Sequence, residues 1–317
     1  MTHPAPHGAH TAPAHEHVEA DLTETLDLDA EVLAEHIEAV IASLPPGTDP
    51  RHIVDLGCGT GAGTLALLRR FPNSRVTAVD SAPAHLDRLR DRAVADGVDE
   101  RLRIVRADLD APAPPDLGHP DLVWASASMH HMSDPDRTLR QVRELLSPGG
   151  LFVMIELAAF PRFLPPAAPA DSPGLEDRCH AAVDRQHAAM TSHRGADWAP
   201  KLTAAGFAIE SEHTRTLHVP ASRNPAVTRY AHTTFTGLRT RIGRLLTPED
   251  RTALDRLLDP DSPRSLHHRE DLALQTRRTT WTARVGRPRA GNPDPSPLPS
   301  NAKVPTPGVR PDDIRPQ

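Results

Sequence analysis

Residues His52–Gly63 read HIVDLGCGTGAG. A short β-branched run passes directly into glycines at positions 57, 59, 61 and 63. Glycine adopts left-handed backbone conformations without steric cost and lets a ligand approach the main chain closely. The segment therefore reads as a strand that ends in a binding loop and restarts as a helix, the unit from which open α/β sheets are built. The glycine spacing alone leaves the ligand open. Gly57, Gly59 and Ala62 also satisfy the dinucleotide fingerprint G-x-G-x-x-G/A.

The flanking sequence continues the alternation. Short apolar runs near His52–Leu56, Arg75–Val79, Leu102–Arg106, Asp121–Ala125 and Leu151–Glu156 predict strands, with amphipathic helices near Gly63–Arg70, Ala84–Ala95 and Asp136–Leu146 between them. Apolar residues at helical spacing predict a further helix over Leu28–Leu44, stopped by Pro45, Pro46 and Gly47. Beyond Glu156 a proline-rich connection leads to helical patterns near Leu175–Met190, Ala196–Ala205, Asn224–Leu246 and Pro248–Leu258. Two β-rich runs, Phe207–Val219 and Leu274–Val285, are expected to complete the sheet as an antiparallel edge pair. The expected fold is a doubly wound, mostly parallel, seven-stranded α/β sheet, with helical cap insertions near residues 158–194 and 220–270.

Composition narrows the class. The chain has 317 residues, and its net charge of −6 argues against a nucleic-acid binder. No apolar run approaches the length of a membrane span, and no secretory pattern opens the chain. A disulfide between Cys58 and Cys179 would tie down the glycine loop, so two free thiols in a reducing cytoplasm are expected. Abundant Arg, Ala and Pro with only two lysines suggest a GC-rich bacterial source. Residues 1–21 carry five histidines at no metal-ligand spacing and are expected to form an unstructured leader. The Pro-rich stretch 286–317 is expected to be an unstructured tail, leaving 22–285 as the folded domain.

Asp55 bears on the ligand. It stands two residues before Gly57, where a dinucleotide-binding strand carries an apolar residue. A carboxylate there repels a pyrophosphate and suits a ligand that is cationic at that point. The single tyrosine, Tyr230, has Thr234 rather than lysine four residues on, so the short-chain reductase pair is absent.

VDLGCGTG resembles the first motif of class I S-adenosyl-L-methionine-dependent methyltransferases, and the resemblance runs in order over about residues 50–157. It implies a Rossmann-like fold and that cofactor; no metal is expected, because no carboxylate pattern completes a metal site with the histidines. It also implies that Asp55, Gly57, Gly59 and Gly61 face the methionine portion, and that Asp80, followed by Ser81 in VTAVDSAP, receives the ribose hydroxyls. Asp108 and Leu109 in RIVRADLDAP would hold the adenine, although Asp110 stands near enough to exchange places with Asp108. Ser126 either touches the methionine portion or merely ends its strand.

DLVWASASMHHMSDPDR resembles the fourth-strand segment of the small-molecule branch. Its His130 and His131 are either a general base or loop-shaping residues, and Glu156 is a second candidate base. The N/D-P-P-Y signature of nucleic-acid amino-methylating enzymes is replaced by SASMHH. The implied reaction is in-line methyl transfer to an oxygen, nitrogen or carbon of a small molecule. The competing readings are an NAD(P)-dependent oxidoreductase and a catalytically silent cofactor-binding partner subunit.

Overall fold

The computed structural model describes residues 12–112, 115–187 and 193–285, the side chains of 12–21 and 187 excepted. The expected tail and the first eleven residues of the expected leader lie outside the described residues. Two helices, α1 (Ala12–Val32) and α2 (Ala34–Ala42), precede the sheet. Then follow β1 (His52–Leu56), α3 (Ala62–Arg70), β2 (Arg75–Asp80), α4 (Pro83–Ala95), β3 (Leu102–Arg106), β4 (Leu122–Ser126), α5 (Pro135–Leu145) and β5 (Leu151–Leu157). The second half contains α6 (Leu175–His187), α7 (Trp198–Ala204), β6 (Phe207–Pro220), α8 (Ala226–Ile242), α9 (Pro248–Leu258) and β7 (Ala273–Val285).

The seven strands lie in the order β3-β2-β1-β4-β5-β7-β6. The first five are parallel, whereas β7 runs antiparallel to both β5 and β6. The strand order reverses between β1 and β4, so the crevice for a ligand opens beyond their carboxyl ends. Alternation along β1 assigns its side chains to opposite faces. Val54 and Leu56 pack with Phe152, Met154 and the α5 and α7 side chains Val142 and Leu202. Ile53 packs on the other face with Trp124, Val40 of α2 and Leu67 of α3. Asp55 shares that second face, and this parity brings a carboxylate against α3.

The elements of the first half stop and start where their chemistry requires. Asp134 accepts the Arg137 N–H at 2.9 Å to cap α5, and Pro135 occupies its first turn. Gly61, in the left-handed region at φ 91°, turns the glycine loop into α3. A Cβ at Gly61 would run into the Leu89 side chain of α4.

Two expectations are corrected at the N-terminal side. The helix expected over Leu28–Leu44 is two helices, broken at Leu33 (φ −104°, ψ 12°). The first begins at Ala12, well inside the segment expected to be an unstructured leader. The apolar stripe Leu28, Val32 and Leu33 is continuous because both helices bury it in one cluster with Phe163, Cys179, Val227, Phe235 and Leu254. That cluster is the core of the cap: α6, α8, α9 and the loop after β5 pack on α1.

Candidate functional site

A cavity of about 440 Å3 opens at the carboxyl ends of β1, β2, β3 and β4. Of the residues expected at a cofactor, Asp55, Gly57, Gly59, Asp80, Ser81, Asp108, Leu109 and Ser126 all line it. Gly61 does not line it and serves the turn into α3 instead. Neither cap segment, 158–194 nor 220–270, contributes a lining residue among those described, which corrects the expectation that they close the cleft. The cover comes from the N-terminal helices: Leu22, Leu26, Asp29 and Ala30 of α1, with Leu33 and Ile37 beyond them.

The glycine loop is shaped by close approach. Gly57 has φ 67°, and a Cβ there would collide with Ser128, whose hydroxyl donates to the Leu56 carbonyl at 2.8 Å. Asp80 organises the same loop. Its Oδ2 accepts the Gly59 N–H and its Oδ1 the Ala82 N–H, each at 2.9 Å. His85 Nδ1 lies 3.3 Å from Oδ1. Burial opposes the Asp80 charge, but the His85 contact and the two N–H donors prevail and hold the carboxyl below the usual range. Each carboxylate oxygen still has lone-pair capacity for a hydroxyl.

Asp55 is the contrasting acid. It is 2% exposed, and its one side-chain partner is the Thr64 hydroxyl, which donates to Oδ2 at 2.6 Å. Burial, only partly offset by Thr64, raises its pKa to about 7. Trp124, opposite Asp55 in the β1–β4 register, lies against Gly63. Its indole Nε1 is buried without a hydrogen-bond partner among the described residues.

The structure separates Asp108 from Asp110. Asp108 lines the cavity, whereas Asp110 turns away and accepts both the N–H and the hydroxyl of Ser133. His130, His131 and Glu156 are neighbours, but only His131 reaches the cavity wall. Glu156 Oε1 accepts the N–H groups of Met129 (2.8 Å) and His130 (3.2 Å). Its Oε2 pairs with His130 Nδ1 at 2.6 Å. Both residues are buried, so Glu156 fixes the turn after β4 from beneath. The His131 ring stands 4.0 Å from that of His130, and burial together with His130 pushes its pKa down to about 4.

Several lining residues escaped the sequence reading. Ala127, at φ 53°, holds a left-handed conformation unusual for a residue with a Cβ. His85 and Arg278 also line the cavity, each with a buried ring or guanidinium nitrogen lacking a partner among the described residues. The histidine five residues after Asp80 carried a weak signal. Ala127 and Arg278 carried none, because backbone strain and a contact across the sheet leave no local pattern.

Among the cap histidines, His180 stacks on Phe160 at 5.0 Å, and the His193 ring lies near Trp198. His187 ends α6, with its side chain outside the described residues.

A mostly parallel sheet closed by an inserted antiparallel β7, with a glycine loop after β1 and acids at the ends of β2 and beyond β3, defines a Rossmann-like α/β domain. Residues 53–150 match the family model described as a methyltransferase domain. Over 103 residues it is 37% identical to a trans-aconitate 2-methyltransferase of Paracidovorax citrulli, covering 32% of this chain and 37% of that protein. Over 106 residues it is 40% identical to a malonyl-[acyl-carrier protein] O-methyltransferase of Halorhodospira halophila, covering 33% and 35%. The match thus spans little more than a third of either relative. A putative methyltransferase from Bacillus halodurans shares the fold at 15% identity, with a TM-score of 0.50 over 79% of this chain and 97% of that one.

Proposed function

We propose that this protein is an S-adenosyl-L-methionine-dependent methyltransferase acting on an oxygen, nitrogen or carbon of a small molecule. The observation that carries the reading is the set of three acids at or just beyond successive strand ends in one cavity, with Asp55 buried and lacking a cationic partner among the described residues. A cation beside Asp55 restores its charge, whereas a pyrophosphate would oppose it. The residues fit the cofactor. Asp80 would accept two ribose hydroxyls, Asp108 the adenine amino group, and Leu109 would pack on the ring; all three line the cavity. Asp55, Gly57, Gly59, Ser81 and Ser126 would surround the remainder, with Leu26 and Leu33 covering it.

When bound, the cofactor supplies a methyl group on a cationic sulfur, a strong leaving group. The protein's part is then alignment and exclusion of water, performed by α1 and by the turn that Glu156 and His130 hold rigid. His131 is the one candidate base at the cavity wall. Neutral at physiological pH, it is able to accept a proton, but with a pKa near 4 it is a weak base. We assign Glu156 and His130 to positioning His131 rather than to proton transfer. The net charge of −6 and 3% aromatic content support a small acceptor over a nucleic acid. The two free cysteines and the bacterial relatives support action in a bacterial cytoplasm.

Calorimetry with S-adenosylhomocysteine, NAD+ and NADP+, followed by a radiolabelled methyl-transfer screen, tests the reading. Binding of the first alone, with transfer to at least one acceptor, is expected. Retention of a pyridine nucleotide without S-adenosylhomocysteine binding would overturn it. Binding without turnover across the screen would favour the silent subunit.

A further inference from the structure

Arg278 lies in the first half of β7, opposite Leu157 at the end of β5 in the antiparallel register. Because β7 runs against the parallel strands, its beginning stands at their carboxyl ends, where the cavity opens. The side chain is 3% exposed, and the residue lines the cavity. A guanidinium cannot shed its charge, so burying it requires acceptors for a fork of five donors. One is visible: Nη2 donates to Asp29 Oδ1 at 2.7 Å. That oxygen also accepts the Tyr230 hydroxyl at 2.9 Å. Nε, the other arm of the side-on fork, is buried with no partner among the described residues. Nε and Nη2 together match the two oxygens of a carboxylate.

We infer that Arg278, held in place by Asp29, is the cavity's receptor for a ligand carboxylate. This rests on the methyltransferase reading for the identity of the ligand. Two carboxylates meet that chemistry, the one on the methionine portion of the cofactor and one on the methyl acceptor. An acceptor carboxylate, ionised at neutral pH, would need no base to attack the methyl group. That agrees with the weak basicity of His131.

The test is calorimetry on the full chain as wild type, Arg278→Gln and Asp29→Asn. The probes are S-adenosylhomocysteine, 5′-methylthioadenosine (the same thioether nucleoside without the amino-acid chain that bears the carboxylate and the ammonium), and malonate. If the cofactor's carboxylate is received, Arg278→Gln weakens S-adenosylhomocysteine about tenfold or more and leaves methylthioadenosine unchanged. If the acceptor's is received, the variant keeps both nucleoside affinities and loses malonate. In Asp29→Asn the guanidinium loses its competing carboxylate, so whichever affinity Arg278→Gln removed is held or rises.

An Arg278→Gln variant that alters the affinity of none of the three probes overturns the proposal. So does an equal fall of all three probes in both variants, which would make the pair only a latch for α1. Wild type that binds no S-adenosylhomocysteine instead removes the methyltransferase reading, and malonate then decides for Arg278 alone: binding lost in Arg278→Gln supports it, and no binding overturns it.

Discussion

Asp55 and Asp80 end neighbouring strands a few residues from the same loop, yet their surroundings drive them in opposite directions. Asp80 receives two backbone N–H groups and a histidine, whereas Asp55 is desolvated with one hydroxyl partner. Asp55 is therefore largely protonated in the free protein below its pKa of about 7. A cationic ligand selects the ionised form, so affinity should rise with pH toward 7 and level above it. Asp55→Asn should abolish that slope in calorimetry between about pH 5.5 and about 8.5. The stability sign follows from the same shift. A carboxyl raised from 3.8 contributes stability that is full at low pH and lost as pH rises through about 7. For Asp80, the asparagine variant keeps one acceptor oxygen for the loop and loses the charge. It should raise the S-adenosylhomocysteine dissociation constant about tenfold, a loss of about 1.4 kcal/mol, while the thermal midpoint moves little. Gly57→Ala should do the reverse and damage the fold itself. Left-handed strain costs about 1–2 kcal/mol, and the clash with Ser128 adds to it.

At the scale of elements, α1 determines whether there is an enclosed site. It is tied outward by exposed ion pairs, Asp27 with Arg88, Glu31 with Arg229 and, from α2, Glu35 with Arg223. Such pairs are worth about 0–1 kcal/mol each and are screened by salt. The buried face, Leu28, Val32 and Leu33 within the cap cluster, carries the docking. Leu28→Ala should cost about 2–5 kcal/mol, read by denaturant unfolding, whereas raising the salt concentration should leave α1 docked. The strands and helices from β1 to β5 were legible because each buries one periodic face against its neighbours. The start of α1 is not legible in the sequence because its first residues are Pro-, Ala- and His-rich, without an apolar stripe. The cap was legible as helices but not by position. Which surface a helix covers is settled by packing between distant segments, here Phe163, Cys179 and Phe235 against Leu28.

The molecule as a whole divides its information unevenly. Asp55, Asp80 and Asp108 lie at or just beyond the ends of three consecutive strands, each within a local motif, and the structure brings them into one cavity. The rest of the cavity wall comes from α1, the turn after β4 and a residue of β7, which are far apart in sequence. No spacing rule connects Asp29 with Arg278, although 2.7 Å separates their charged atoms. The strand order has a consequence for how such a chain acquires its shape. Among the described residues, β6 pairs only with β7, and β7 fills the gap beside β5. Until Ala273–Val285 arrives, an apolar strand border and a long hairpin arm both remain bare and open to other chains. During synthesis the half that carries the glycine loop is made first, but the sheet stays unsealed until Val285, the last described residue, has emerged.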